Sequence, residues 1–419
     1  EADSGDEGQL YYVDLNALLK ELGGTPNLQA DFMRFAASMQ GILNRNKPVM
    51  FMEYILESDP FWYNYLRQEG KTLYGYKRVN ISTLDDFFTT FGEEIKRMGL
   101  ILWDVNVPAT ANVAVTACGI EEWLPVRGDE SAGSLLDLIK TKVSGVEIQY
   151  DLRGKFTGEG IIPDVNRESS GSAKCDAYIW AMEKYLDKTS DSLLANVVDG
   201  VDFGNDVATT GLVNIDYYTM NKVFLFDLSP WGDETPNDDP NQPMGTDLAT
   251  FKELLQRMYD RTMGQKMISV SGFVPWHLKY TVYGNKGKHG EVESEWHYAQ
   301  ILTAYNCFLD ADGIAYNSLA NASIYQQYKI QNTLTNNRPA EIPAYDPSKK
   351  YVLFYMGDYD AAAWTTRFVA RYWCDRKRGK NPLAWPYNPN LSERVPMVFE
   401  YIYEYKSPND YFVAGDSGA

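Results

Sequence analysis

The chain has 419 residues, of which 44% are hydrophobic and 23% are charged, proportions that are typical of a globular protein with two to four domains. Its formal net charge of −18 opposes contact with nucleic acid or anionic lipid, so neither is an expected partner. No apolar run reaches the roughly 18 residues that a transmembrane helix needs.

The first residues, EADSGDEGQ, include neither an initiator Met nor a signal peptide. An acidic segment of this kind is typical of a tether on an exported protein or of a disordered remnant, and both interpretations stay open. The four cysteines are widely spaced and form no CxxC motif, which argues against a cysteine-based metal knuckle.

In the first 150 residues, helical and strand patterns alternate. The spacing of Phe32, Phe35, Met39 and Ile42 predicts a helix over 28–45, and strand, helix and strand follow in VMFMEYIL, 82–98 and 100–105. Glycines mark a boundary near residue 154. We expect four domains: 1–76, 77–153 and 160–263, which are small N-terminal units, and 264–419, which is the catalytic unit.

From residue 220 the alternation becomes regular. Strands are predicted at 222–228, 266–274, 351–357, 382–387 and 410–415, and helices at 247–263, 293–309 and 361–377. Asn390, with Glu393 three residues later, predicts the capped start of another helix. Continuous apolar strands that alternate with helices indicate a parallel sheet covered by helices. Both a (β/α) barrel and an open doubly wound sheet fit this pattern.

Acidic and aromatic residues follow the predicted strands. In both architectures the active site lies at the carboxyl ends of the strands. The residues found there are Asp227 and Trp231, Trp276 and His277, Asp358 and Asp360, Trp385 and Tyr387, and Asp416. Carboxylates among aromatic rings favour a carbohydrate-processing cleft, because glycosidic cleavage uses two carboxyl groups and sugars stack on rings. A single strand-end Asp is otherwise a turn or helix-cap residue.

All three histidines lie within 21 residues, at positions 277, 289 and 297. Together with nearby glutamates they could bind a divalent metal ion, act as acid–base groups, or belong to a solvated loop. Their spacing matches no compact metal motif. We take Asp358, His277 and His297 as the metal candidates, and a divalent ion as the candidate cofactor.

Several sequence blocks resemble the GxGYxYP family of glycoside hydrolases. They include MQGILNR (39–45), VNVPATANVAVT (105–116), GFVPWHLKYT (272–281) and the final PNDYFVAGDSGA (408–419), which in that family precedes the Gly-Tyr-x-Tyr-Pro segment. The resemblance implies small N-terminal α/β domains followed by a (β/α) barrel-like C-terminal domain. It also implies a secreted, periplasmic or cell-surface protein, often lipid-anchored, whose natural chain continues past Ala419. Relatives tend to carry an Asp-Gly-Asp-Asn run where this chain has Asp358, Tyr359, Asp360 and Ala361.

The leading hypothesis is therefore a carbohydrate-active hydrolase that acts on a glycan. Asp358 and Asp360 are the favoured acids, and Glu295, Asp227 and Asp416 are candidates for the second carboxylate. The predicted sugar-contacting residues are Trp231, Trp276, His277, His297, Trp385 and Tyr387. Two alternatives are a metal-dependent carbohydrate deacetylase or esterase and a non-catalytic glycan-binding surface lipoprotein.

Overall fold

A computed structural model gives the fold of the chain. It describes residues 8–198, 212–272, 287–311, 319–339, 341–342, 344–357 and 361–415.

These residues form fourteen α-helices. In chain order they are α1 (Leu15–Leu22), α2 (Pro26–Leu43), α3 (Asp59–Leu66), α4 (Leu84–Met98), α5 (Ala109–Glu121), α6 (Leu135–Lys142), α7 (Ala173–Tyr185), α8 (Ile215–Met220), α9 (Thr246–Thr262), α10 (Glu291–Ala304), α11 (Ala322–Tyr325), α12 (Ala362–Tyr372), α13 (Leu391–Arg394) and α14 (Pro396–Glu404). None of these helices is long and apolar enough to cross a membrane.

The same residues form fourteen β-strands. They are β1 (Gln9–Asp14), β2 (Met50–Glu53), β3 (Lys77–Ile81), β4 (Leu100–Trp103), β5 (Leu124–Arg127), β6 (Ile148–Asp151), β7 (Ile161–Ile162), β8 (Arg167–Glu168), β9 (Leu193–Asn196), β10 (Phe224–Phe226), β11 (Ile268–Gly272), β12 (Cys307–Ala311), β13 (Leu383–Tyr387) and β14 (Asp410–Ala414).

The strands form four parallel sheets and one short antiparallel pair. The parallel sheets have the orders β2-β1-β3, β5-β4-β6, β10-β9-β11-β12 and β13-β14, and β7 pairs antiparallel with β8. The predicted mixed α/β class is therefore confirmed. No closed sheet occurs among the residues that the structure describes, so the barrel-like form of the C-terminal domain stays a prediction.

Helix α4 shows how the sequence sets an element. The Thr83 hydroxyl accepts a hydrogen bond from the Asp86 backbone N–H at 3.0 Å and caps the first turn. Apolar side chains three or four positions apart, such as Phe87, Phe91 and Ile95, face the core. Gly99, with φ of 68°, ends the helix in a backbone conformation that disfavours other residues.

Most of the predicted elements are present, with shifted ends. The helix predicted over 293–309 is wrong beyond residue 304, because Asn306 adopts a left-handed backbone (φ 57°) and residues 307–311 pair with β11 as a strand. The predicted capping by Asn390 is also wrong: α13 does begin at the next residue, but the Asn390 side chain makes no cap hydrogen bond.

The predicted buried strand at 351–357 is wrong in this structure. Its pairing is limited to one parallel bridge between Tyr355 and Ala384, beside β13. Val352 and Leu353 are 76% and 77% exposed, so this apolar run has no covering layer among the described residues. An apolar pattern indicates that a segment can be buried, but it does not specify the surface that buries it.

The sheets do not by themselves set domain limits, and the four-domain division stays a prediction. The expected limit at 76/77 lies between strands of one sheet, since β1 pairs with β3. The expected limit at 263/264 likewise lies within the span of the four-stranded sheet, because β9 pairs with both β10 and β11.

Candidate functional site

A cleft of about 490 Å³ lies where the loop after β10 meets α10. It is lined by Trp231, Val292, Glu293, Trp296, His297 and Gln300. The α10 residues at 293, 296, 297 and 300 share one face because they are three or four positions apart on a helix. Since the loop leaves the carboxyl end of β10, the cleft lies on the side of the sheet where α/β proteins bind ligands.

Trp296 is the most exposed ring of this cleft, with 66% of its surface accessible. Glu293 is three residues earlier on the same helix face and is also exposed. An open indole beside a carboxylate provides a flat apolar surface and a hydrogen-bond acceptor for a polyhydroxylated ligand.

Trp231, in contrast, is stacked between two histidines. The centroid of its ring lies 3.4 Å from that of His289 and 4.3 Å from that of His297, with interplanar angles of 10° and 19°. Two nearly parallel rings at these distances cannot share one face of the indole, so both faces are covered. Its indole N–H donates to the Ser294 hydroxyl at 2.9 Å. Trp231 therefore fixes the loop to α10, and its ring faces are not open for the predicted sugar contact.

Carboxylates surround His289. Its Nε2 lies 2.8 Å from Asp233 Oδ1, and its Nδ1 lies 3.8 Å from Glu293 Oε1. The neighbouring Glu234 carboxylate is buried and accepts the Lys288 backbone N–H at 2.7 Å. Burial raises the pKa of Glu234, although this hydrogen bond opposes the shift.

His297 lies on the other face of the indole. Burial lowers the pKa of His297 because desolvation penalises the imidazolium, while a hydrogen bond to the Pro230 carbonyl opposes the change. The imidazole is thus biased toward its neutral form, which can act as a base or as a hydrogen-bonding contact.

A buried charge network holds the loop that carries Trp231. The Lys174 ammonium of α7 lies 3.1 Å from Asp238 Oδ2 and 2.7 Å from Asp247 Oδ2. Asp247 also accepts hydrogen bonds from the Ser229 backbone N–H at 2.9 Å and from the Gln242 side chain at 2.8 Å. The Lys174 side chain and both carboxylate side chains are at most 4% exposed. The ion pairs offset the cost of burying these charges, and they fix both ends of the loop.

Asp227 lies at the carboxyl end of β10 and is fully buried. Burial raises the pKa of the Tyr298 phenol, and the charge of the nearby Asp227 carboxylate adds to this shift. The Tyr298 hydroxyl in turn accepts a hydrogen bond from Asn196, the last residue of β9, at 3.1 Å. These contacts connect α10 to the strand ends, so Asp227 lies beneath the cleft rather than in its lining.

The other predicted residues within the described chain lie apart from this cleft. Glu295 is half-buried and is not part of the cleft lining. Trp385 and Tyr387 belong to β13 and are 2% and 3% exposed, and the Trp385 indole N–H donates to Asp410 at 2.9 Å. Both rings are therefore buried against neighbouring side chains.

Five predicted residues lie outside the described residues: Trp276, His277, Asp358, Asp360 and Asp416. Within the described ranges, no group of three or more His, Cys, Asp or Glu side chains could hold a metal ion. Two of the three metal candidates, His277 and Asp358, are in the segments that are not described, so the metal site stays a prediction.

Trp296 was not among the predicted site residues, and Glu293 was considered only as one of the glutamates near the histidines. The signal that could have identified them is the helical spacing of 293, 296, 297 and 300, which places an indole, a carboxylate, an imidazole and an amide on one face. The strand-end rule instead gave priority to residues that directly follow strands, such as Trp231.

Two regions of the sequence match known domains. Residues 98–189 match the GxGYxYP_N second domain, and residues 348–419 match the GxGYxYP putative glycoside hydrolase C-terminal domain. Both matched models belong to the GxGYxYP family, and together they match less than half of the chain. The resemblance drawn from the sequence blocks is thereby confirmed.

A solved structure similar to this chain is described as a putative hydrolase from Bacteroides thetaiotaomicron VPI-5482. The match has a TM-score of 0.65 at 17% identity and covers 97% of this chain and 63% of the other. The chain thus spans less than two thirds of the length of that structure, and the likeness shows a shared fold. No curated protein matches the chain.

Proposed function

We propose that this chain is a carbohydrate-active hydrolase that binds its glycan in the cleft of α10. The observation that carries the proposal is the 66% exposed indole of Trp296 beside Glu293, in a cleft of about 490 Å³. The description of the matched C-terminal domain, which names a glycoside hydrolase, supports the same reaction class.

The chemistry of the cleft suits a sugar. The apolar face of a pyranose ring stacks on an indole, and its hydroxyl groups need acceptors and donors at the edge. Glu293 provides an acceptor, and Gln300, one turn beyond Trp296, provides both an acceptor and a donor. A cleft of this size accommodates one or two sugar rings, within the range of small-ligand sites.

Hydrolysis of a glycosidic bond needs a proton donor and a second carboxylate. We propose Asp358 and Asp360 as the source of one of these groups. We propose Asp416 as the source of the second, since Asp227 lies beneath the cleft and Glu295 is outside its lining. Asp358 and Asp360 are two residues apart, so on an extended backbone they would face opposite ways and only one would enter the cleft.

The experiment is a hydrolysis assay on a panel of neutral polysaccharides, with released reducing ends as the readout. We expect Asp358→Asn or Asp360→Asn to reduce the rate at least 100-fold, because an amide cannot transfer the proton or attack the sugar. Unchanged thermal unfolding of the variants is the folding control. Full activity in both variants contradicts the assignment of these acids.

A second candidate is a glycan-binding protein without turnover. The observation that favours it is that Glu293 is the single carboxylate in the cleft lining formed by described residues, whereas hydrolysis uses two. In this case a polysaccharide of the panel binds, but no reducing ends appear and the Asp variants bind as the wild type does.

A further inference from the structure

A second cavity, of about 270 Å³, lies at the carboxyl ends of β13 and β14. Its floor consists of buried apolar and aromatic side chains, at most 9% exposed: Tyr387, Phe399, Ile402 and Phe412. Its mouth is accessible, since Ser392 is exposed and Val413 is 41% exposed. The cavity therefore combines a closed apolar floor with an open entrance.

Aromatic rings surround this cavity. The ring centroids of Tyr403 and Phe412 are 4.4 Å apart, and the centroid of Tyr387 lies 6.2 Å from those of both Phe399 and Phe412. Aromatic rings attract one another through offset or edge contacts when their centroids are about 4.5–7 Å apart. The wall of the cavity is therefore made largely of packed aromatic rings, which are the surface on which a further aromatic ring can pack.

The volume suits one substituted ring. An apolar cavity of about 150 Å³ in another protein stays dry and binds benzene. The cavity beside β13 and β14 is larger, at about 270 Å³, so it has room for an aromatic ring with substituents.

The cavity is connected to the carboxyl ends of the four-stranded sheet. Asn388, which follows Tyr387, donates to Asp310 of β12 at 3.1 Å, and Arg394 pairs with the same carboxylate at 2.6 Å. Both Asp310 and Arg394 are almost fully buried, so this contact fixes the end of β13 to the end of β12. The cavity and the cleft of α10 thus both lie at the carboxyl ends of parallel strands.

We propose that this cavity binds an aryl group attached to a sugar, so that the protein recognises aryl-substituted glycans or glycosides. The link to sugar rests on the proposed carbohydrate function, whereas the binding of an aromatic ring rests on the cavity alone. The two parts can therefore be tested separately.

The first experiment is calorimetric titration of the whole chain with 4-nitrophenol. We expect saturable binding that Ser392→Trp weakens at least tenfold, because an indole at the mouth fills the cavity. Glu393→Trp is the matched control, because this residue is adjacent, exposed and not part of the lining. The affinity of this variant for 4-nitrophenol should stay within twofold of that of the wild type. If Ser392→Trp does not fold, Ala414→Trp blocks the same mouth.

Absence of saturable binding to the wild type, or equal affinity in the wild type and in a folded mouth variant, would overturn the proposal.

A second titration compares 4-nitrophenyl glycosides with the matching methyl glycosides. We expect the wild type to bind the aryl glycoside at least tenfold more tightly than the methyl glycoside. In Ser392→Trp this difference between the two glycosides should disappear. If 4-nitrophenol binds but the aryl glycoside gains nothing, the link to sugar is wrong. Failure of methyl glycosides to bind counts against the proposed carbohydrate function alone.

Discussion

At the scale of single residues, the protonation of His297 connects the cleft to the stability of the chain. The pKa of His297 is lowered mainly by burial, so the folded chain binds this proton less readily than the unfolded chain does. At pH values between that lowered pKa and the usual histidine pKa of about 6.5, the unfolded chain carries more protons than the folded chain. The free energy of unfolding therefore falls as the pH drops below about 6.5.

We predict that His297→Gln removes this part of the pH dependence, since glutamine does not titrate. The measurement is urea unfolding of both proteins at a series of pH values between about 4.5 and 7.5. Asp59 and Asp216, whose pKa values burial raises to about 7 and about 6, contribute a slope of opposite sign, but they do so in both proteins. A difference between the two curves that does not change with pH would contradict the prediction.

Residue types were easier to predict from the sequence than residue roles. The sequence indicated both Trp231 and His297 as sugar-contacting candidates, Trp231 because it follows a strand and His297 because it belongs to the histidine cluster. It did not show that the two rings stack, which depends on how the loop after β10 folds. That loop conformation is set by a buried ion-pair network around Lys174, a residue more than 50 positions earlier in the chain.

At the scale of elements, the packing of α2 against α8 joins the N-terminal part of the chain to the middle. A β-carbon added to Gly41 of α2 would lie 2.4 Å from the Asp216 backbone oxygen and 2.9 Å from the Thr219 side chain. Beside this contact, the Gln40 amide donates to Asn321 at 2.7 Å and the Asn44 amide donates to Ser323 at 2.9 Å. The two helices can approach this closely only because residue 41 has no side chain.

We predict that Gly41→Ala lowers the free energy of unfolding by about 1–3 kcal/mol, the usual cost of overpacking a well-packed contact. Gly92→Ala is the matched control, because Gly92 lies within α4 and an added β-carbon would meet nothing within 4 Å. Alanine there should raise the free energy of unfolding by about 0.5–1 kcal/mol, as in other open helix positions. Equal effects of the two substitutions in urea unfolding would contradict this account of the helix contact.

Helices with a regular apolar face were the best-predicted elements, as α4 and α9 show, because their pattern extends over four or more turns. Short strands were less certain. Residues 307–309 continued an apolar helical pattern, yet the left-handed Asn306 ends the helix and directs them into β12. Residues 351–357 have the composition of a buried strand but pair at a single bridge, because pairing depends on residues distant in sequence.

At the scale of the whole molecule, the alternation of strands and helices was enough to predict parallel sheets covered by helices. It could not decide between a closed barrel and open sheets, because strand order depends on contacts between distant segments. The described residues form separate parallel sheets, of which the largest has the order β10-β9-β11-β12. The cleft of α10 lies on the carboxyl-end side of this sheet, where the general rule for parallel α/β folds places a ligand.

The central claim is that this side binds a glycan through Trp296. The most direct test is to measure by calorimetry the affinity for an oligosaccharide that the wild type binds. The same titration is made with Trp296→Ala and with the control Tyr74→Ala. Tyr74→Ala removes an aromatic side chain that is 49% exposed. Loss of stacking on the indole should weaken binding about tenfold or more, since a stacked aromatic contact contributes about 1 kcal/mol beyond its buried area. The account predicts this loss for Trp296→Ala alone. Equal affinity in all three proteins would contradict it.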